Sequence, residues 1–86
     1  MFENKIKKLI EDSTGIKNPE IEIPPKDEMG DYAFPCFELS KKLNKSSNEI
    51  ANDLASKVKK PAFVKEIKAT GPYLNFFIDY NSISKN

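Results

Sequence analysis

ATGPYLNFFIDY, residues 69–80, is the stretch whose reading decides the fold. Gly71-Pro72 is a tight-turn dipeptide. The residues after it alternate, with Leu74, Phe76 and Ile78 on one side of a strand and Tyr73, Asn75 and Phe77 on the other. The run before it, residues 63–69, reads as the partner strand, so residues 63–80 make an antiparallel pair. The aliphatic row with Phe76 is the side that must be buried. The row of Tyr73, Asn75 and Phe77 is expected to face solvent, and two aromatics flanking an amide suit the stacking and hydrogen bonding of an unpaired base.

Working outward, Ser46 with Glu49 forms a capping box ahead of Ile50, Ala51, Leu54, Ala55 and Val58, a helical stripe. Before it, Pro35 suits the first position of a helix whose inner face carries Cys36, Phe37, Leu39, Ser40 and Leu43. These two segments form either a helical hairpin or one bent helix. Residues 20–23 alternate as a short strand closed by Pro24-Pro25, a polar turn follows, and residues 31–34 return as a second strand. At the start, Phe2, Ile6, Leu9 and Ile10 fall at helical spacing, and Gly15 stops that helix with Ile16 packing back. Gly30-Asp31 reads as a turn, with glycine at positive φ and aspartate bonding local backbone. The order helix, two strands, helices, two strands implies an α+β two-layer sandwich, an antiparallel sheet with helices on one face.

Composition bounds the chemistry. The chain has 86 residues, 38% hydrophobic and 31% charged, enough for one core and one domain over residues 1–80. Histidine is absent and there is one cysteine, Cys36, which excludes Ser/His and Cys/His nucleophilic pairs, an internal disulfide and most zinc sites. Cys36 is expected to be a buried small hydrophobe. The net charge is +1, and every basic residue is lysine, a point charge without the bidentate fork of arginine. Polyanion contacts would be salt-sensitive and non-specific. The pairs Lys7-Lys8, Lys41-Lys42 and Lys59-Lys60 read first as solvated helix faces. No apolar run reaches the roughly 18 residues of a membrane span, so no membrane role and a cytoplasmic location are expected.

MGDYAF at residues 29–34, SKKL at 40–43, the capped helix with Ile50-Ala51, and ATGPYLNFFI at 69–78 occur in an order and spacing that resembles the N-terminal additional domain of arginyl-tRNA synthetase. The resemblance implies a domain that docks on the outer corner of tRNA(Arg), contacts its D-loop and positions it for a class I catalytic domain of the same polypeptide; a monomer is expected. Residues 81–86 would then be a frayed tail or the start of a linker to that absent domain. It also implies that Thr70, Tyr73 and Asn75 contact D-loop nucleotides, with Phe77 the fourth candidate on the same row. The parent enzyme would join arginine to tRNA with ATP and magnesium. No cofactor is expected in this domain, which lacks the histidine of the class I ATP signature. The competing reading is a protein–protein adaptor that uses the same open sheet face.

Overall fold

The computed structural model describes residues 2–83. The glycine-proline turn and the alternating stretch after it form a hairpin of β2 (Val64–Thr70) and β3 (Tyr73–Ile78), in which Thr70 pairs with Tyr73 across a two-residue loop. Gly71 sits at φ 57°, a conformation that matches loop twist to strand twist when glycine leads a two-residue hairpin. A third strand, β1 (Tyr32–Pro35), adds antiparallel to the other edge of β3, so the order is β1-β3-β2. The last hairpin strand is thus the centre of the sheet.

Three helices supply the second layer: α1 (Glu3–Thr14), α2 (Phe37–Leu43) and α3 (Ser47–Lys57). Their stripes close over the inner row of β3. Ile6, Ile10, Leu39, Ile50 and Ala51 share one buried cluster with Leu74, Phe76 and Ile78. The α1 stop behaves as read, since the Gly15 N–H bonds to Glu11 O at 2.8 Å and Ile16 is buried. The capping box also forms its first arm, with Glu49 N–H donating to Ser46 Oγ at 3.1 Å. Between α2 and α3, Asn44 adopts a left-handed conformation at φ 55°, so the two segments are a hairpin of separate helices.

Four readings are corrected. Residues 20–23 make no strand and contribute one isolated bridge, Glu22 to Ala33, because Pro19, Pro24 and Pro25 cannot donate to a longer ladder. Pro35 closes β1 instead of opening α2, which starts at Phe37. Cys36 between them donates its N–H to Pro72 O at 3.0 Å and ties the helix start to the hairpin turn. Only Cys36 and Leu39 of the expected inner face are buried. Phe37 is 49% exposed and Leu43 56%, since a two-turn helix directs one narrow stripe inward. Finally, β3 stops at Ile78 and residues 80–83 turn into a short helix, α4 (Tyr80–Ile83). The rest of the expected tail, residues 84–86, lies outside the described residues.

The glycine-aspartate turn does more than turn. Gly30, at φ 96°, passes so close to β3 that a Cβ there would lie 2.9 Å from Phe76 O. Asp31 does not bond local backbone as expected. Its N–H donates to Phe76 O at 2.8 Å, and its carboxylate accepts the Ile78 N–H at 2.8 Å and the Tyr80 hydroxyl at 2.9 Å. That hydroxyl hydrogen bond is the main cause that raises the Tyr80 pKa.

Two outcomes are expected. Gly30→Ala should cost about 2–4 kcal/mol in chemical denaturation, combining a disfavoured φ with a backbone clash. Gly71→Ala, where a Cβ meets nothing within 4 Å, should cost about 1–2 kcal/mol. Equal losses would mean that the close approach to Phe76 is not what demands Gly30. Cys36 is fully buried, and burial pushes its thiol from near 9 to about 11. The thiolate is therefore disfavoured in the folded state. Native protein should resist thiol reagents, and stability should fall as pH rises from about 9 towards 11. Rapid labelling without unfolding would contradict this.

Candidate nucleic-acid interface

The face of the sheet away from the helices is a grid set by strand register. Pro35 and Ala33 of β1, Tyr73 and Asn75 of β3, and Thr70 and Lys68 of β2 are aligned as Cα partners, with Glu66 beside Phe77 one step further. The expected open face needs correction at its middle. Asn75 is 1% exposed, because the chain between the Glu22 bridge and Gly30 folds back over it. What remains is a pocket of about 150 Å³ bordered by Glu22, Ile23, Pro24, Pro25, Met29, Ala33, Tyr73 and Asn75.

Asn75 is half satisfied there. Its Nδ2 donates to Thr70 Oγ1 at 3.0 Å, while its Oδ1, fully shielded by protein, has no hydrogen-bond partner. A buried carbonyl without a donor costs about 1–3 kcal/mol. Sites that carry such a cost are frequently functional. Tyr73 borders the pocket and meets the exposed Phe37 ring edge-on at 5.9 Å between centroids. Ile23, on the opposite border, is 74% exposed.

Three of the four sequence candidates, Thr70, Tyr73 and Asn75, therefore come together at the turn end of the sheet. Phe77 does not join them. It lies towards the other end of the face, half-buried, with the Lys68 ammonium 5.9 Å from its ring centroid. Lys68 in turn lies 3.5 Å from Glu66. Sequence reading passed over Lys68, although counting back from the Gly71-Pro72 turn places it directly opposite Asn75. It also missed the cover of residues 22–29, whose folding back no local periodicity could announce. On the β1 side of the pocket, Glu20, Glu22 and Glu38 border a second cleft with Phe34, Pro35 and Phe37. Of the lysine pairs, Lys7-Lys8 and Lys41-Lys42 lie on helices, where Lys7 pairs with Glu3, Lys8 with Asp12 and Lys42 with Glu38.

The family described as the arginyl tRNA synthetase N terminal domain matches residues 1–78. The chain belongs to that family. An arginine–tRNA ligase of Clostridium perfringens is 56% identical over 66 residues, which are 77% of this chain and 12% of the relative. One from Clostridium botulinum strain Alaska E43 is 46% identical over 89 residues, covering 99% of this chain and 16% of the relative. Among solved structures, an arginyl-tRNA synthetase of Thermus thermophilus superposes with a TM-score of 0.80 at 31% identity, covering 96% of this chain and 15% of that one. The motif-based resemblance and the α+β architecture are both borne out, and the chain corresponds to a small part of each ligase it matches. No helix among the described residues is long and apolar enough to cross a membrane.

If the Asn75 carbonyl is held unsatisfied, an apolar side chain of similar size should be tolerated. Asn75→Leu is expected to leave the unfolding free energy within about 1 kcal/mol of the parent, or to raise it. A loss above about 2 kcal/mol would show that the amide stabilises the fold.

Proposed function

We propose that this domain recognises the D-loop of tRNA(Arg) and positions that tRNA for arginylation by a class I catalytic domain of the same polypeptide. The observation that carries this reading is the unsatisfied Asn75 carbonyl in a pocket that Tyr73 borders. An unstacked base laid on Tyr73 exchanges water for an aromatic face. With the cover of residues 22–29 drawn aside, an exocyclic amine or imino N–H on its edge donates to Asn75 Oδ1, which that cover otherwise shields. Thr70 acts one step back: by accepting from Nδ2, its hydroxyl keeps the amide oxygen as the free acceptor. The site thus favours a base edge that presents a donor.

Magnitudes limit what the domain does alone. Stacking is worth about 1–3 kcal/mol per base, and satisfying the carbonyl removes a penalty of about 1–3 kcal/mol. Together these give about 2–6 kcal/mol, a range centred on the roughly 4 kcal/mol that corresponds to 1 mM, so the contact by itself is weak. The domain is a positioning module, and the remaining affinity belongs to the rest of the enzyme. Arginylation with ATP and magnesium is assigned there too. The chain has no histidine for a class I ATP signature.

The exposed Ile23 and Phe37 beside Tyr73 keep the protein-adaptor reading in view. The two separate by experiment. In an NMR titration of the labelled chain with unmodified tRNA(Arg), shifts are expected at Thr70, Tyr73 and Asn75. They should disappear with a D-loop-altered tRNA. Tyr73→Ala should weaken binding about 5- to 100-fold, the equivalent of one lost stack, with an unchanged fold. Unchanged affinity in Tyr73→Ala would overturn the site. Absence of any tRNA-dependent shift would favour the adaptor.

A further inference from the structure

We infer that the polynucleotide backbone crosses this face along the β2 side, with Lys68 as its phosphate contact and Phe77 as the seat that positions Lys68. The inference rests on the base-binding reading above and adds a direction to it. A base entering the pocket has its sugar and phosphate on one flank or the other, and the flanks differ in charge: three carboxylates border one, while the other carries the Lys68–Glu66 ion pair.

On the β1 flank, Glu20, Glu22 and Glu38 border a single cleft next to Phe37. A phosphate there would meet three carboxylates. On the β2 flank, Lys68 is the Cα partner of Asn75, so its side chain rises from the same face immediately beside the pocket. Its side chain is 59% exposed. The ammonium lies over the Phe77 ring at 5.9 Å and near the Glu66 carboxylate at 3.5 Å, so it is held above the sheet between two partners. An exposed ion pair of this kind is worth about 0.2–1 kcal/mol, which a phosphate oxygen can readily displace. Phe77 is then not a stacking surface for a second base. Its ring is occupied by the lysine.

Phosphate contact and base contact have different salt signatures. A lysine that neutralises one phosphate contributes about 0.7–0.9 to the slope of log affinity against log salt, whereas a stacking residue shifts affinity without changing that slope. The experiment compares the unaltered chain with Lys68→Gln, Tyr73→Ala and Lys8→Gln, the last on the helix layer. Affinity for tRNA(Arg) is followed by NMR titration from about 50 to 200 mM salt. Lys68→Gln is expected to lose about three- to ten-fold at low salt and to flatten the slope by just under one. Lys8→Gln should do neither, and Tyr73→Ala should lower affinity at unchanged slope. If Lys68→Gln keeps the full slope while Tyr73→Ala weakens binding, the backbone path is wrong and base recognition stands. If Tyr73→Ala also binds normally, the base-binding reading fails and the path fails with it. A slope lost equally in Lys8→Gln would mean diffuse attraction and would also overturn the assignment to Lys68.

Discussion

The crossing of Gly30 and Asp31 over the central strand is the constraint on which the rest depends. Glycine permits the chain to run within van der Waals contact of the Phe76 carbonyl, and the aspartate then bonds across 47 residues to the Ile78 N–H. Three hydrogen bonds from one residue to the end of β3 and to Tyr80 fix where β1 begins and where the last strand stops. They also fix the path of what precedes them. With Gly30 pinned beside Asn75 and Glu22 bridged to Ala33, the intervening chain must arch over the outer face. That arch turns a flat aromatic surface into a pocket.

Its consequence for Asn75 links folding to recognition. A polar residue on an open face would meet water and discriminate weakly, because water competes for each hydrogen bond. Under the arch, the amide is buried and its oxygen has no protein partner. A ligand that supplies the missing donor recovers a penalty already present in the free protein, while one that lacks it gains nothing there. Selectivity built this way needs few contacts. It fits a near-neutral domain whose basic residues are all lysine, three of them in surface ion pairs within helices.

The charge pattern completes the argument. Because no arginine is present, phosphate recognition cannot depend on bidentate geometry. A lysine paired with Glu66 on one flank and three glutamates on the other can still orient a polyanion, since electrostatics here supplies direction more than strength. The aromatic ring of Phe77 takes part by restricting where that lysine charge resides.

How much was legible follows from the range of each interaction. Local periodicity and turn chemistry determined α1 and α3, the Gly71-Pro72 hairpin, the buried row of Leu74, Phe76 and Ile78, the Ser46 cap and the Gly15 stop. Each depends on residues within a few positions of one another. Alternation alone also placed Tyr73 and Asn75 on one face with Thr70 at the turn. Tertiary structure alone decided that residues 20–23 keep a single bridge, that Pro35 ends a strand, that Asp31 reaches Ile78, and that Asn75 is enclosed while Phe77 supports Lys68. Those outcomes depend on segments brought together from opposite ends of the chain. Sequence patterns record which side of an element must leave water, but they do not record which distant backbone arrives to cover the other side.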